Sequence, residues 1–289
     1  MSTQLVTVEV RRWIAVQFKE GHDQNKILAA LRASGWDADV AEQAVQAVLG
    51  KQGQQPGLKR FEAAQRALPP SGRLPEPDLT AERSECVVEG HTVKVLLTLA
   101  QPRIVVFGGL LSDEECDALV ARARPRMSRS ETVADTSVGS EVNTARTSDG
   151  MFFTRGEDAC VARIESRIAA LLNWPVENGE GLQVLHYRPG AEYQPHYDYF
   201  DPGHVATPAI LARGGQRVGT LVIYLNTPEA GGATVFPDIQ LAVSPVKGNA
   251  VFFSYDQPDP GTQTLHGGAQ VCAGEKWVAT KWLREGEFI

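Results

Sequence analysis

Apolar residues recur at helical spacing over the first fifty positions and change to an alternating, strand-like order after about residue 85. Val10, Trp13, Ile14 and Phe18 share one face of a first helix. Asp23 caps a second, which carries Ile27, Leu28 and Leu31 and stops at Gly35. Asp37 caps a third with Val40, Ala44, Val45, Val48 and Leu49, and Gly50 stands as its stop. Residues 1–50 therefore read as a small three-helix bundle, marginal in stability when alone. Residues 51–80 lose the pattern. Pro, Gly and Gln dominate, as in a linker, with one or two helical turns over residues 61–68.

Residues 81–289 read as the main domain. Strands are expected over 91–99, 103–107, 181–186, 194–199, 218–225, 233–236, 250–254 and 277–283, with Gly and Pro at the junctions. Ser112-Asp-Glu-Glu is a capping box, with Glu115 three residues after the cap. The helix behind it shows Cys116, Leu119, Val120 and Ala123. Residues 157–172 predict a second amphipathic helix through Val161, Ile164, Ile168, Leu171 and Leu172. Many short strands after a helical start imply an α+β, mainly β fold: a double-stranded β-helix, or jelly roll, with helices buttressing one side. Residues 126–150 are polar and without periodicity, which fits either a lid or a plain surface insertion.

Composition adds boundaries rather than direction. The 289 residues are 43% hydrophobic and 22% charged, ordinary for a soluble globular protein. A net charge of -7 and the lack of a basic run argue against nucleic acid as a partner. No apolar run is long enough to span a membrane. The N-terminus lacks the basic-then-apolar order of a secretory signal. The four cysteines are scattered, with no Cys-x-x-Cys, which fits reduced thiols in a cytoplasmic protein. Oligomeric state leaves no mark in the sequence.

The candidate chemistry lies in His196, Asp198, His266 and Lys276. Side chains two apart on a strand point to one side of it, so His196 and Asp198 can meet one ion. His266, in Leu265-His-Gly-Gly, can supply a third ligand, and the glycines permit close backbone approach. Two His and one carboxylate with open positions is the ligand set of non-haem Fe(II) oxygenases. Lys276 would set a positive charge near that ion, as an acidic cosubstrate requires. Zinc hydrolysis is the rival chemistry. It is disfavoured because no His-Glu-x-x-His occurs and a zinc site has no need of the lysine. Each residue alone has a duller reading: a hydrogen-bonded histidine, a solvated lysine, and packing or turn roles for Tyr187 and Thr234. No Gly-x-Ser-x-Gly elbow supports a serine hydrolase.

Residues 100–289 resemble the prolyl 4-hydroxylase family of 2-oxoglutarate- and Fe(II)-dependent dioxygenases. The resemblance rests on Leu111-Ser-Asp-Glu-Glu-Cys, Arg146-Thr-Ser-Asp-Gly, Glu180-Gly-Leu-Gln-Val-Leu-His-Tyr, Tyr193-Gln-Pro-His-Tyr-Asp-Tyr-Phe, Gly214-Gly-Gln-Arg, Gly231-Gly-Ala-Thr-Val-Phe-Pro, and Leu265-His-Gly-Gly through Lys276-Trp-Val-Ala-Thr-Lys-Trp. It implies that His196, Asp198 and His266 bind Fe(II). Lys276, helped by Tyr187 and Thr234, would hold the distal carboxylate of 2-oxoglutarate. Tyr193, Arg217 and Trp282 would line a substrate groove, with Arg146 and its loop closing over it. The acid at Asp198 sets the chain apart from related halogenases, which carry a small residue there. O2 is then the second cosubstrate and ascorbate the reductant. The expected reaction is 4-hydroxylation of a prolyl residue in a peptide or protein. Hydroxylation of a free amino acid or small metabolite is the alternative within the class, and a non-catalytic metal-binding sensor or recognition module the alternative outside it. Residues 1–50 resemble ubiquitin-associated-type domains, which bind proteins, and three roles stay open for them: recruiting a protein substrate, mediating dimers, or covering a sheet edge.

Overall fold

The structure is a computed structural model and describes residues 10, 13, 14, 17, 22–52, 74–79, 84–129, 132–133, 140–141 and 147–289. The chain divides into two units, Met1–Leu68 and Pro69–Ile289.

In the first unit, helix α1 (Gln24–Ala33) begins at Asp23, whose side chain accepts a hydrogen bond from the Lys26 amide. Helix α2 (Ala38–Gln52) starts at Asp37, which caps the amides of Asp39 and Val40. It runs through Gly50 rather than stopping there. One glycine near a helix end costs only about 1 kcal/mol, too little to break the helix. Ile14, Ile27, Leu28, Leu31, Ala41, Ala44 and Val45 form one apolar cluster. Most of the expected first helix, Phe18 included, and the turns expected over 61–68 lie outside the described residues.

The second unit is mainly β and antiparallel. In chain order its elements are β1 (Glu85–Val88), β2 (His91–Leu99), β3 (Arg103–Gly108), α3 (Asp113–Ala123), β4 (Ser128–Arg129), β5 (Thr132–Val133), β6 (Ser140–Glu141), β7 (Asp149–Phe153), α4 (Ala159–Leu171), β8 (Leu182–Tyr187), β9 (Tyr193–His196), α5 (Thr207–Leu211), β10 (Arg217–Tyr224), β11 (Ala230–Gly231), β12 (Thr234–Phe236), β13 (Leu241–Val243), β14 (Ala250–Ser254), β15 (His266–Gly268), β16 (Val271–Ala273) and β17 (Lys276–Arg284). Among the described residues the major sheet has nine strands in the order β1-β2-β3-β14-β10-β17-β8-β7-β4. The minor sheet has four, in the order β13-β12-β15-β9. Successive strands from β8 to β17 pass back and forth between these sheets, as a jelly roll requires.

Strand β17 is buried along its whole length and shows what this layering does. Trp277, Ala279 and Leu283 face a core shared with Cys116 and Leu119 of α3 and Val161, Ile164 and Ile168 of α4. Lys276, Val278, Thr280 and Trp282 alternate with them and face a cavity between the sheets. A second core fills the space between the sheets beside that cavity, through Ile104, Leu185, Tyr224, Phe236, Val251 and Phe253.

Two expectations need correction. Residues 74–79 do not behave as linker. Leu79 is buried in the main core, the Glu76 amide donates to the Leu172 carbonyl, and Glu76 pairs with Arg103. The stretch 126–150 is structured at both ends, where β4 pairs with β7 on the major sheet. Within it β5 pairs with β6, and residues 130–131, 134–139 and 142–146 lie outside the described residues.

Candidate active site

His196 closes β9, and His266 opens β15 directly opposite it in the minor sheet. Asp198 stands just past the end of β9, since the strand stops at His196 rather than continuing to residue 199. The convergence nevertheless holds: one ligand atom from each of His196, Asp198 and His266 lies within 4.8 Å of the others. His266 Nε2 is 3.4 Å from Asp198 Oδ2, and His196 Nε2 is 3.6 Å from Asp198 Oδ1.

The backbone sets both imidazoles. His196 Nδ1 lies 2.9 Å from the Gln194 carbonyl, and His266 Nδ1 lies 3.0 Å from the Thr264 carbonyl. A carbonyl only accepts, so each Nδ1 carries a hydrogen and each Nε2 is left to face the cavity. Tyr193 stacks on His196 at 3.7 Å, and Phe253 packs against His266 at 4.5 Å. Burial and the neighbouring His266 push the His196 imidazole below its ordinary value. Burial alone would raise the Asp198 carboxyl, but the two histidines outweigh it and hold the group well below the usual range. A neutral imidazole beside an ionised carboxylate is the protonation state that metal binding needs.

Gly267 makes the close approach possible. A Cβ there would lie 2.8 Å from the Tyr193 carbonyl oxygen and 3.1 Å from the Pro195 nitrogen, pushing β15 away from β9.

Lys276 enters the same cavity from the major sheet, directly opposite Tyr187 on β8. It is only 3% exposed. Among the described residues no carboxylate pairs with it, and its nearest charge-compatible neighbours are the faces of Tyr187 and Tyr224, at 5.4 and 6.0 Å. Burial therefore pulls the ammonium down to about 8. Thr234 lines the cavity, and its Oγ1 accepts a hydrogen bond from Tyr224 at 2.9 Å. Its own hydrogen remains available to an anion beside Lys276.

Of the residues expected around the substrate, Tyr193 and Trp282 line the cavity. Arg217 stacks on the Trp282 ring at 3.9 Å, and two of its nitrogens bind Glu180 at 2.7 and 2.9 Å. Arg146 lies outside the described residues. Four participants carry no sequence signal of their own. Glu180 holds both Arg217 and Arg284, and Tyr224 binds Thr234. Thr220 reaches Asp198, and Tyr255 reaches Thr220. The period of two along β10 places Thr220, Val222 and Tyr224 on the cavity face, but a Thr or Tyr there reads as packing until the opposite sheet is known.

Comparison with known proteins fits this geometry. The 2OG-Fe(II) oxygenase superfamily matches residues 182–284, the span that holds all three ligand candidates and Lys276. Prolyl 4-hydroxylase 2 of Arabidopsis thaliana is 40% identical over 219 residues, covering 68% of this chain and 71% of that protein. This chain belongs to the prolyl 4-hydroxylase family of 2-oxoglutarate- and Fe(II)-dependent dioxygenases. Prolyl 4-hydroxylase 5 of the same plant is also 40% identical, over 65% of this chain and 70% of its own length. Among solved structures, the viral collagen prolyl hydroxylase of Paramecium Bursaria Chlorella virus-1, as its 2-oxoglutarate complex, is 32% identical with a TM-score of 0.48, covering 63% of this chain and 95% of that one. As a member of this family the chain is an oxidoreductase that uses Fe(II), 2-oxoglutarate and O2, and its donor set suits them. Two imidazoles and one carboxylate leave positions open on a ferrous ion, and a buried ammonium with no carboxylate partner among the described residues lines the same cavity.

Proposed function

We propose that this protein hydroxylates C4 of prolyl residues in a peptide or protein. The observation that carries the reaction type is the buried Lys276, with no carboxylate partner among the described residues, facing the same cavity as the three ligand groups. An isolated buried ammonium is costly, and a dicarboxylate that also reaches the metal relieves that cost. The prolyl target is supported by the relatives named prolyl 4-hydroxylases.

In this reading His196, Asp198 and His266 hold the iron. Lys276 and the Thr234 hydroxyl bind the distal carboxylate of 2-oxoglutarate, with the Tyr187 ring against the lysine. When bound, iron with 2-oxoglutarate and O2 supplies the oxidation: the keto acid becomes succinate and CO2, and one oxygen atom enters a substrate C–H bond. The protein's part is to aim and to exclude water. Tyr193 and Trp282 wall the cavity, and the Glu180 carboxylate fixes Arg217 against Trp282, so the aromatic wall is rigid. Arg146 is assigned to the bound peptide. Ascorbate serves as reductant. Residues 1–50 serve to recruit a protein substrate.

The test is mass spectrometry of proline-rich peptides after incubation with the protein, iron, 2-oxoglutarate and ascorbate. The expected result is a gain of one oxygen on proline with matching succinate release, abolished in His196→Ala and Asp198→Ala. Oxygen gain on free proline but on no peptide would move the assignment to small substrates. No succinate from any mixture would reduce the protein to a metal-binding module.

A further inference from the structure

Asp198 is the one ligand candidate that the minor sheet does not orient. It lies beyond the last residue of β9, so no strand ladder fixes it. What holds it comes from the major sheet. Thr220, fully buried in β10, places its Oγ1 2.8 Å from Asp198 Oδ2. Tyr255, buried just after β14, places its hydroxyl 3.0 Å from the same Oγ1. The Asp198 carbonyl also accepts a hydrogen bond from Arg217 at 3.3 Å.

The direction of this chain follows from donor counting. An ionised carboxylate only accepts, and a threonine hydroxyl has one hydrogen. Thr220 therefore donates to Asp198 Oδ2, and Tyr255 must donate to Thr220. Each bond polarises the next. Oδ1 instead faces the His196 ring nitrogen, a fellow ligand candidate, at 3.6 Å. The two oxygens of Asp198 are thus unequal: one is occupied and one is left for a metal.

From this asymmetry we infer that Thr220 and Tyr255 are positioning residues that keep Asp198 a one-oxygen metal ligand. A carboxylate with both oxygens free can chelate and take two coordination positions. With Oδ2 engaged, Asp198 takes one. The ion's other positions would then stay open to the keto acid and O2. The inference rests on the metal-site reading above and adds the device that keeps the site open.

Cobalt(II) in place of iron separates the two ideas, because its visible absorption reports the number of ligand atoms without any turnover. The full-length protein, Thr220→Val, Thr220→Ser and Tyr255→Phe would each be titrated with cobalt(II). Valine keeps the shape and removes the donor. Thr220→Val should bind cobalt roughly 10–100-fold more weakly, the usual consequence of losing a hydrogen bond to a metal ligand, and its bands should shift as the free carboxylate chelates. Thr220→Ser should restore both properties. Tyr255→Phe should move both in the same direction by less. A Thr220→Val protein with wild-type affinity and bands would overturn the inference, as would a loss that Thr220→Ser fails to restore. Should Thr220→Val not fold, Tyr255→Phe decides, and a wild-type spectrum from it is fatal. A wild-type protein that takes up no cobalt would sink the metal site and this inference together.

Discussion

Lys276 is destabilising until something binds. Its ammonium is buried with no carboxylate partner among the described residues, and burial draws it from an ordinary 10.5 to about 8. Between those values the unfolded chain holds more protons than the folded one, so this group makes stability rise with pH from about 8 towards 10.5. Lys276→Met should therefore raise the melting temperature of the ligand-free protein at pH 7, with the gain shrinking as pH passes 8. Thermal melts across pH check this, and a variant less stable at pH 7 would contradict it. The same substitution should weaken 2-oxoglutarate binding by roughly 3–5 kcal/mol, the usual scale for one-sided loss of a buried ion pair. In the wild type the 2-oxoglutarate requirement should climb as pH rises through 8, where the lysine loses its charge. An apparent KM measured from pH 6.5 to 9 would show it. At this scale the sequence was informative where chemistry is rare. A His-x-Asp, a distant His-Gly-Gly and a lysine opening an apolar strand stand out. Thr220, Tyr224 and Tyr255 do not, because a hydroxyl on a strand acquires meaning only from what faces it across the cavity.

Elements differ in how much local sequence determines them. Helix α3 is fixed by its first turn: Ser112 caps the Glu115 amide, and Glu115 returns a bond to the Ser112 amide. Glu115 also binds Arg167 at 2.7 and 2.9 Å and Arg163 at 3.1 Å. Burial opposes its charge, but Arg167, the Ser112 amide and Arg163 prevail and draw the carboxyl to about 2. Its folded value is thus below the unfolded 4.5, so it stabilises fully above pH 4.5 and loses that effect as pH falls towards 2. Glu115→Gln should lower stability at neutral pH and flatten the acid limb of the unfolding curve, which denaturant titrations at pH 3 and 7 would register. Strand ends were harder to read. Residues 197–199 look β-prone, yet β9 stops at His196. The pairing of β4 with β7 was hidden because both lie at the borders of a polar stretch, and pairing partners are set by distant residues. Gly267 was readable only as a permissive glycine. Its real duty is steric, so Gly267→Ala should weaken metal binding while leaving secondary structure intact, as metal titration beside circular dichroism would reveal.

At the scale of the whole molecule, the two units carry separate cores. A chain beginning at Pro69 should fold, bind metal and release succinate on short peptides at close to the full-length rate. Loss of folding in that truncation would show that Met1–Leu68 contributes to the domain's stability. The sequence separated a helical start from a β domain because the hydrophobic period changes from 3.6 to 2. It misplaced the border because residues 74–79 look like linker by composition while their side chains and amides engage the domain.

The histidine pair belongs to the minor sheet and Lys276 to the major one. A molecule gripped at one end by the ion and at the other by the ammonium would rivet the two layers together. Neither component alone makes that link, so iron and 2-oxoglutarate added jointly should toughen the fold against heat by more than the sum of their separate effects.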